Sequence, residues 1–425
     1  MKPFQGTKIF LSALAAGVFW CGVAQAQEWP LGDSVENLLA FAQEKNPEYA
    51  GMRYEAEAAT ERITPAGALP DPKFRLELRD ITRMGEQNPT LAPNRAGSTR
   101  YQFTQDLPWF GKRGLKREVA AFEAESAEGR ALSVWTEVAS KIKTVFAERY
   151  YLHHNERLTR EIFDLMVQLE KIAEVRYTNG LASQQDVIRA QLEQTGLQNE
   201  LIALESEHRQ TQARLNALLA RPATAPLAEP EKLRPLPSPA TLNETALTDR
   251  ARVHNPQLSS ELARVKAAEK GRELAYKNRY PDWTVGLSPI QYQNSIKEWE
   301  LMLEVNIPLQ QATRRAGERE SEAMLSAARA RSETAAYQVL AGLAENLAGL
   351  EAARNTGILI SGALLPQSEL TFQAALAGYE TGKVDFATLL DAQRQIRQAK
   401  QNLFKAQAEG QARLAEIERI IGEDL

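Results

Sequence analysis

The side chains best suited to covalent or metal chemistry are few in this 425-residue chain, and their spacing serves neither purpose. Its four histidines are His153, His154, His208 and His254. Adjacent His153 and His154 point about 100° apart on a helix, so they cannot close on one ion as an i, i+4 pair does. His208 and His254 stand alone, and the single cysteine, Cys21, lies in an apolar leader. No Gly-x-Ser-x-Gly, phosphate-cradling glycine loop or His-Glu-x-x-His occurs. The reading is therefore no enzyme, no cofactor and no dedicated metal site. What remains is ionic and positional. "KFRLELRDI" (73–81) alternates Phe74, Leu76 and Leu78 with Lys73, Arg75, Glu77 and Arg79. Two Tyr-x-x-Gly turns, Tyr177–Gly180 and Tyr379–Gly382, are followed by the carboxylates Asp186 and Asp391. With no catalytic motif beside them, such groups are read as holding contacts and steering ions.

The elements that carry these residues come from a chain of mild charge. A formal net charge of −4 without a clustered basic patch excludes nucleic-acid binding as the main role. Hydrophobic residues make up 43% and mean hydropathy is −0.41, and no body segment approaches the roughly 18 apolar residues of a membrane helix. Residues 1–26 differ. Lys2 and Lys8 lead into "IFLSALAAGVFWCGVA", and Ala24-Gln25-Ala26 offers a small-x-small cleavage pattern. This predicts a secretory signal peptide. Phe19-Trp20 before Cys21 argues against lipidation, and the mature chain then has no cysteine for a disulfide.

The body contains itself twice. Asn46-Pro47 recurs as Asn255-Pro256, Pro70-Asp71 as Pro281-Asp282, and "YTNGLASQQDVIRAQ" (177–191) aligns without gaps on "YETGKVDFATLLDAQ" (379–393). We read one repeat over 33–221 and a second over 243–422, joined by a proline-rich segment at 221–242. Each repeat predicts a strand pair, 72–82 with 99–108 and 282–290 with 297–307. All four alternate an apolar face with a polar one, over the length of a tilted transmembrane strand. Leu76 and Leu78 are then expected to face lipid, and Arg75, Glu77 and Arg79 a water-filled lumen. Four strands cannot close a barrel, and an open edge in lipid leaves backbone groups unsatisfied, so several chains must share one.

The rest predicts helices. Val134, Val138, Ile142 and Val145, then Leu158, Ile162, Leu165, Leu169 and Ile172, step by threes and fours like a coiled-coil seam. Proline-free 111–177 predicts one helix of about 100 Å. Helices near 34–68, 182–220, 243–279, 311–365 and 385–421 complete the expectation, with Pro366 a kink. The predicted fold is mainly α with a β-barrel portion: a long coiled-coil helical barrel, belted at mid-height, continuous with a shared transmembrane β-barrel of four strands per chain.

These residues resemble the TolC-type outer-membrane efflux family over nearly the whole mature chain. "ALPDPKF" (68–74) and "QDLPWFGKR" (105–113) are similar to its heavy-metal efflux branch. The resemblance implies a homotrimer in the outer membrane of a Gram-negative bacterium, with a long periplasmic extension. It also implies substrate delivered by an inner-membrane pump of the resistance-nodulation-division type through a periplasmic adaptor. The family's closing network maps onto Asp186 and Tyr379. Its arginine is absent, because Val384 stands there beside Lys383. Of two acidic positions at the constriction, one is Thr388 and the other is kept as Asp391. The resemblance puts adaptor contacts at the turns, on Tyr177, Gly180, Leu181 and Ala182 and on Gly382 and Val384. The same residues have a plainer reading, since glycine after a helix is a C-cap and Asp186 favours a helix dipole. Passive conduction, of heavy-metal cations before drugs or secreted protein, is the expected function. A soluble periplasmic coiled-coil adaptor is the rival, and alternating strands discriminate against it.

Overall fold

The computed structural model describes residues 31–425, so the leader 1–26 lies outside the described residues. The first half runs α1 (Val35–Lys45), α2 (Pro47–Glu61), α3 (Ile63–Gly67), β1 (Lys73–Arg79), β2 (Ser98–Leu107), α4 (Lys112–Thr178) and α5 (Gln184–Leu218). The second half runs α6 (Glu244–His254), α7 (Pro256–Lys277), β3 (Asp282–Tyr292), β4 (Ser295–Asn306), α8 (Gln311–Leu359), α9 (Leu365–Glu380) and α10 (Phe386–Ile421). Helix α4 has 67 residues, about 100 Å at the α-helical rise. It packs against α2, α5, α7 and α10, and α10 packs in turn on α8 and α9. Among the described residues no helix is long and apolar enough to cross a membrane.

Two expected helices are broken at an Asn-Pro pair, and the first is broken again at Arg62, where α2 gives way to the short α3. Instead of one helix near 34–68, the chain ends α1 at Asn46 and restarts at Pro47; instead of one near 243–279, it does the same at Asn255 and Pro256. The asparagine causes the break. Asn46 Oδ1 accepts from Tyr49 N–H at 3.0 Å and its Nδ2 donates to Leu218 O at 2.8 Å. Asn255 repeats both bonds, with Leu258 N–H at 2.8 Å and Ile420 O at 2.7 Å. Proline then occupies the first helical position, where no amide hydrogen is needed. The kink expected at Pro366 is spread over a π-helical turn, Ile360–Leu364, between α8 and α9.

Alternation in the chain becomes one antiparallel sheet of order β1-β2-β3-β4, joined across the two halves by β2 and β3. Its faces are inverted relative to a soluble sheet, which buries the apolar side. One apolar row runs Phe74, Phe103, Leu287, Leu301 through paired positions, and Leu301 is 84% exposed. On the other face Gln102, Ser288 and Ile290 are buried. The outer edges of β1 and β4 pair with nothing among the described residues.

The proline-rich segment is irregular apart from a 3-10 turn at Pro239–Thr241, and side chains of the bundle satisfy its carbonyls. Gln212 and Asn216 each donate to Ala225 O at 2.8 Å, Arg149 donates to Ala228 O at 3.2 Å, and Gln411 donates to Arg234 O at 2.5 Å. That is how backbone without a ladder is held against helices.

Candidate functional site

Three places gather the charged and aromatic residues. The first is the end of the bundle remote from the sheet, where α4 turns into α5 and α9 into α10. Both turns are glycine-capped in the same geometry. Gly180 has φ +70° and Gly382 φ +72°, and the amides after them reach back five residues, Leu181 N–H to Arg176 O and Lys383 N–H to Gly378 O, each at 2.8 Å. These are Schellman caps. The two tyrosines part company within this common frame. Tyr177 is 44% exposed, whereas Tyr379 is 2% exposed and packs its ring on Phe386 at 5.2 Å.

Asp186 and Tyr379, onto which the family's closing network maps, form no hydrogen bond with each other within the chain. Tyr379 Oη is buried with no partner among the described residues, and Asp186 instead accepts from its own Ser183 hydroxyl at 3.2 Å. Burial raises the Tyr379 phenol above its ordinary pKa; the charge of Asp186 adds to the rise and Arg176 opposes it. The residue that joins the turns is one the sequence reading passed over. Arg176 lies 4.8 Å over the Tyr379 ring, donates to Glu380 O at 2.7 Å and to Leu181 O at 3.3 Å, and so ties one turn to the other. A cation over an aromatic face needs no in-line hydroxyl. The signal available was an arginine just before the first Tyr-x-x-Gly. Lys383, expected nearby, is exposed with no ion pair among the described residues. Leu181 is 67% exposed, Ala182 and Val384 half-buried. Asp391 is exposed and lies 3.5 Å from Arg394, which also pairs with Glu193 of α5.

The second place is the polar face of the sheet. Lys73 meets Asp106 at 2.7 Å, and Thr284 donates to the same carboxylate at 2.7 Å. Arg100 pairs with Glu300 at 2.6 Å and lies 3.9 Å from Glu77, which Arg79 reaches at 3.3 Å. Arg75 stands opposite Gln102 on this face. Opposite charges on one face of neighbouring strands form a lattice that tolerates water and repels hydrocarbon.

The third place is the irregular proline-rich segment, where it lies against the bundle. Glu229 accepts from Arg149 at 3.1 Å and from His208 Nε2 at 3.1 Å, with His153 Nδ1 at 3.7 Å. His208 looked solitary in sequence; α4 and α5 bring it and His153 to one carboxylate. Burial raises the Glu229 pKa, but the His208 bond and the charges of Arg149, His208 and His153 outweigh it and hold the carboxyl below its ordinary range. Among the described residues no three His, Cys, Asp or Glu side chains are placed to hold a metal ion.

Known proteins share this architecture. The chain is 24% identical over 395 residues to the cobalt-zinc-cadmium resistance protein CzcC of Cupriavidus metallidurans, covering 92% of this chain and 90% of that protein. It superposes on the outer membrane protein VceC from Vibrio cholerae with TM-score 0.77 at 17% identity, covering 93% of this chain and 100% of VceC. With CusC, whose structures concern transmembrane channel formation, the TM-score is 0.78 at 16% identity, covering 92% of each. The outer membrane efflux protein model matches residues 38–221 and 247–423, one stretch in each half. The chain therefore belongs to the outer membrane efflux protein family.

Proposed function

We propose that this chain is the exit duct of a tripartite efflux system, passively conducting heavy-metal cations from an inner-membrane pump and periplasmic adaptor to the exterior. The observation that carries the proposal is the inverted sheet. An apolar face left bare beside a packed polar one is unstable in water and suited to lipid outside and water inside. Unpaired edges on β1 and β4 are untenable in hydrocarbon, and three copies joined edge to edge give twelve strands enclosing a channel. Repeats at 33–221 and 243–422 then supply six strand pairs and six helical turns per trimer. Exposed apolar residues on the bundle, such as Leu192 at 71% and Leu370 at 67%, are where neighbouring copies would pack.

In this reading Arg75, Glu77 and Arg79 line the lumen. Arg176, Tyr379 and Asp186 hold the mouth shut, and the exposed faces of Tyr177–Ala182 and Gly382–Val384 receive the adaptor. Lys383 belongs to the same mouth. Asp391, repeated by threefold symmetry in a narrow passage, favours cations. The substrate class rests on the likeness to CzcC. Ions pass through without strong ligands, as a conduit requires. Deleting the gene in its host tests the assignment. We expect lowered tolerance to cobalt, zinc or cadmium, restored by the intact gene; lowered tolerance to antibiotics alone would assign the duct to drugs.

A further inference from the structure

We infer that each chain carries a binding site for one anionic glycerophospholipid, at the rim where the sheet passes into the long helices. The inference rests on the duct reading, because that reading sets the apolar face in lipid. A cleft of about 490 Å³ opens on this face, lined by Trp109, Phe110, Trp283, Val285, Leu303 and Arg113 among others. That volume is in the range of small-molecule sites, roughly 300–1,000 Å³. Val285 and Leu303 belong to the bare apolar face itself, so the cleft continues the lipid-facing surface and one acyl chain can run from one into the other. It centres on the inner strand β3, whose Val285 is paired on both sides, with Gln105 and Leu303.

The wall is built in advance. Trp109 stacks on Tyr280 at 5.2 Å with 7° between planes and on Trp283 at 6.5 Å. Its backbone N–H donates to Asp282 at 2.8 Å, and Lys112 secures that carboxylate at 2.8 Å. Stacked amphipathic rings suit a membrane boundary. Above the wall stand two cations that no carboxylate pairs with among the described residues. Arg113 donates through Nε to Gly67 O at 3.0 Å, and Lys277 donates to Phe110 O at 3.4 Å. Glycine at 111, with φ +83°, lets Lys277 lie close, since a Cβ there would meet Lys277 Nζ at 2.6 Å. Lys116 and Arg117 add exposed charge one turn on. Apolar cleft below and unpaired cations above match an acyl chain with a phosphate, and the helix side of the sheet is the phospholipid leaflet in the duct reading.

Tryptophan quenching by brominated lipids tests this in reconstituted full-length protein. One variant keeps Trp109 and another keeps Trp299, which lies 64% exposed on the apolar face; the remaining tryptophans become phenylalanine. In phosphatidylcholine vesicles, dibromophosphatidylglycerol should quench Trp109 at about fivefold or more lower mole fraction than dibromophosphatidylcholine, since each cation near a membrane surface favours anionic lipid to that degree. Arg113→Gln with Lys277→Gln should abolish the preference, while Trp299 is quenched by both lipids alike. Equal quenching of Trp109 by the two lipids, or a preference that survives the double substitution, overturns the site but leaves the duct reading standing. A Trp299 that neither lipid quenches overturns both. Native mass spectrometry of the chain with all its tryptophans, with and without the double substitution, reads the same preference as retained phosphatidylglycerol.

Discussion

Arg149 is 1% exposed and, among the described residues, leaves Nε and Nη1 without partners and meets one carboxylate, Glu229, which therefore carries unusual weight. Removing one partner of a fully buried pair costs about 3–5 kcal/mol. Glu229 is a third exposed, so solvent screens it, and Glu229→Gln should cost about 2 kcal/mol at pH 7. The sign of its pH dependence follows from a depressed carboxyl pKa. Such a group stabilises above its unfolded value and loses that contribution as pH falls through the lower folded value. The gap between parent and variant should therefore close below the ordinary carboxyl range, at about pH 4 and under. Denaturation midpoints across pH would show it, and a gap unchanged at low pH would leave Glu229 without a charge role. At the turns, Tyr379→Phe removes a hydroxyl that has no partner among the described residues, so stability should change by less than about 0.5 kcal/mol. Arg176→Ala cuts two carbonyl bonds and a cation–π contact at once. It should raise single-channel conductance, and by more than Asp186→Ala, whose contact is local; the opposite ranking in planar bilayers would remove Arg176 from the closure.

At the level of elements, what was legible depended on the range of the cause. Period-two alternation placed all four strands within a few residues of where they lie, because the signal is in the strand itself. Proline-free length likewise marked α4. The breaks at Asn46 and Asn255 were missed, although both Asn-Pro pairs had been recognised as a repeat. An asparagine that ends one helix and caps the next is decided partly by its Nδ2 bond to Leu218 O or Ile420 O, over 160 residues away in sequence. The convergence of His153 and His208 on Glu229 was hidden for the same reason. Pro366 was visible but its effect was not. Proline lacks an amide hydrogen and its ring crowds the carbonyl four residues back, which here is Gly362, inside the π-helical turn. Pro366→Ala should let this turn tighten toward α-helix, slowing hydrogen exchange at 360–365 several-fold. Unchanged exchange would assign the π turn to packing rather than to proline.

For the whole molecule, the face assignment makes the sharpest demand. An arginine facing lipid near the bilayer midplane costs about 2–4 kcal/mol. Leu76→Arg should therefore deplete the trimer from outer-membrane fractions, while Arg75→Leu, on the polar face, assembles nearly as the parent does. Equal assembly of the two would remove the barrel. The unlike tyrosines of the two turns have a further consequence, which concerns ancestry. Six identical half-length chains could also close twelve strands, but each of their turns would have to shut the mouth and greet the adaptor with the same residues. Two halves fused in one chain are free to diverge. Here one turn has buried its tyrosine under Arg176 while the other presents its own to solvent. In the duct reading, mutations that retune docking at Tyr177 need not disturb closure at Tyr379, and a duct with two such handles could change partners without first learning to leak.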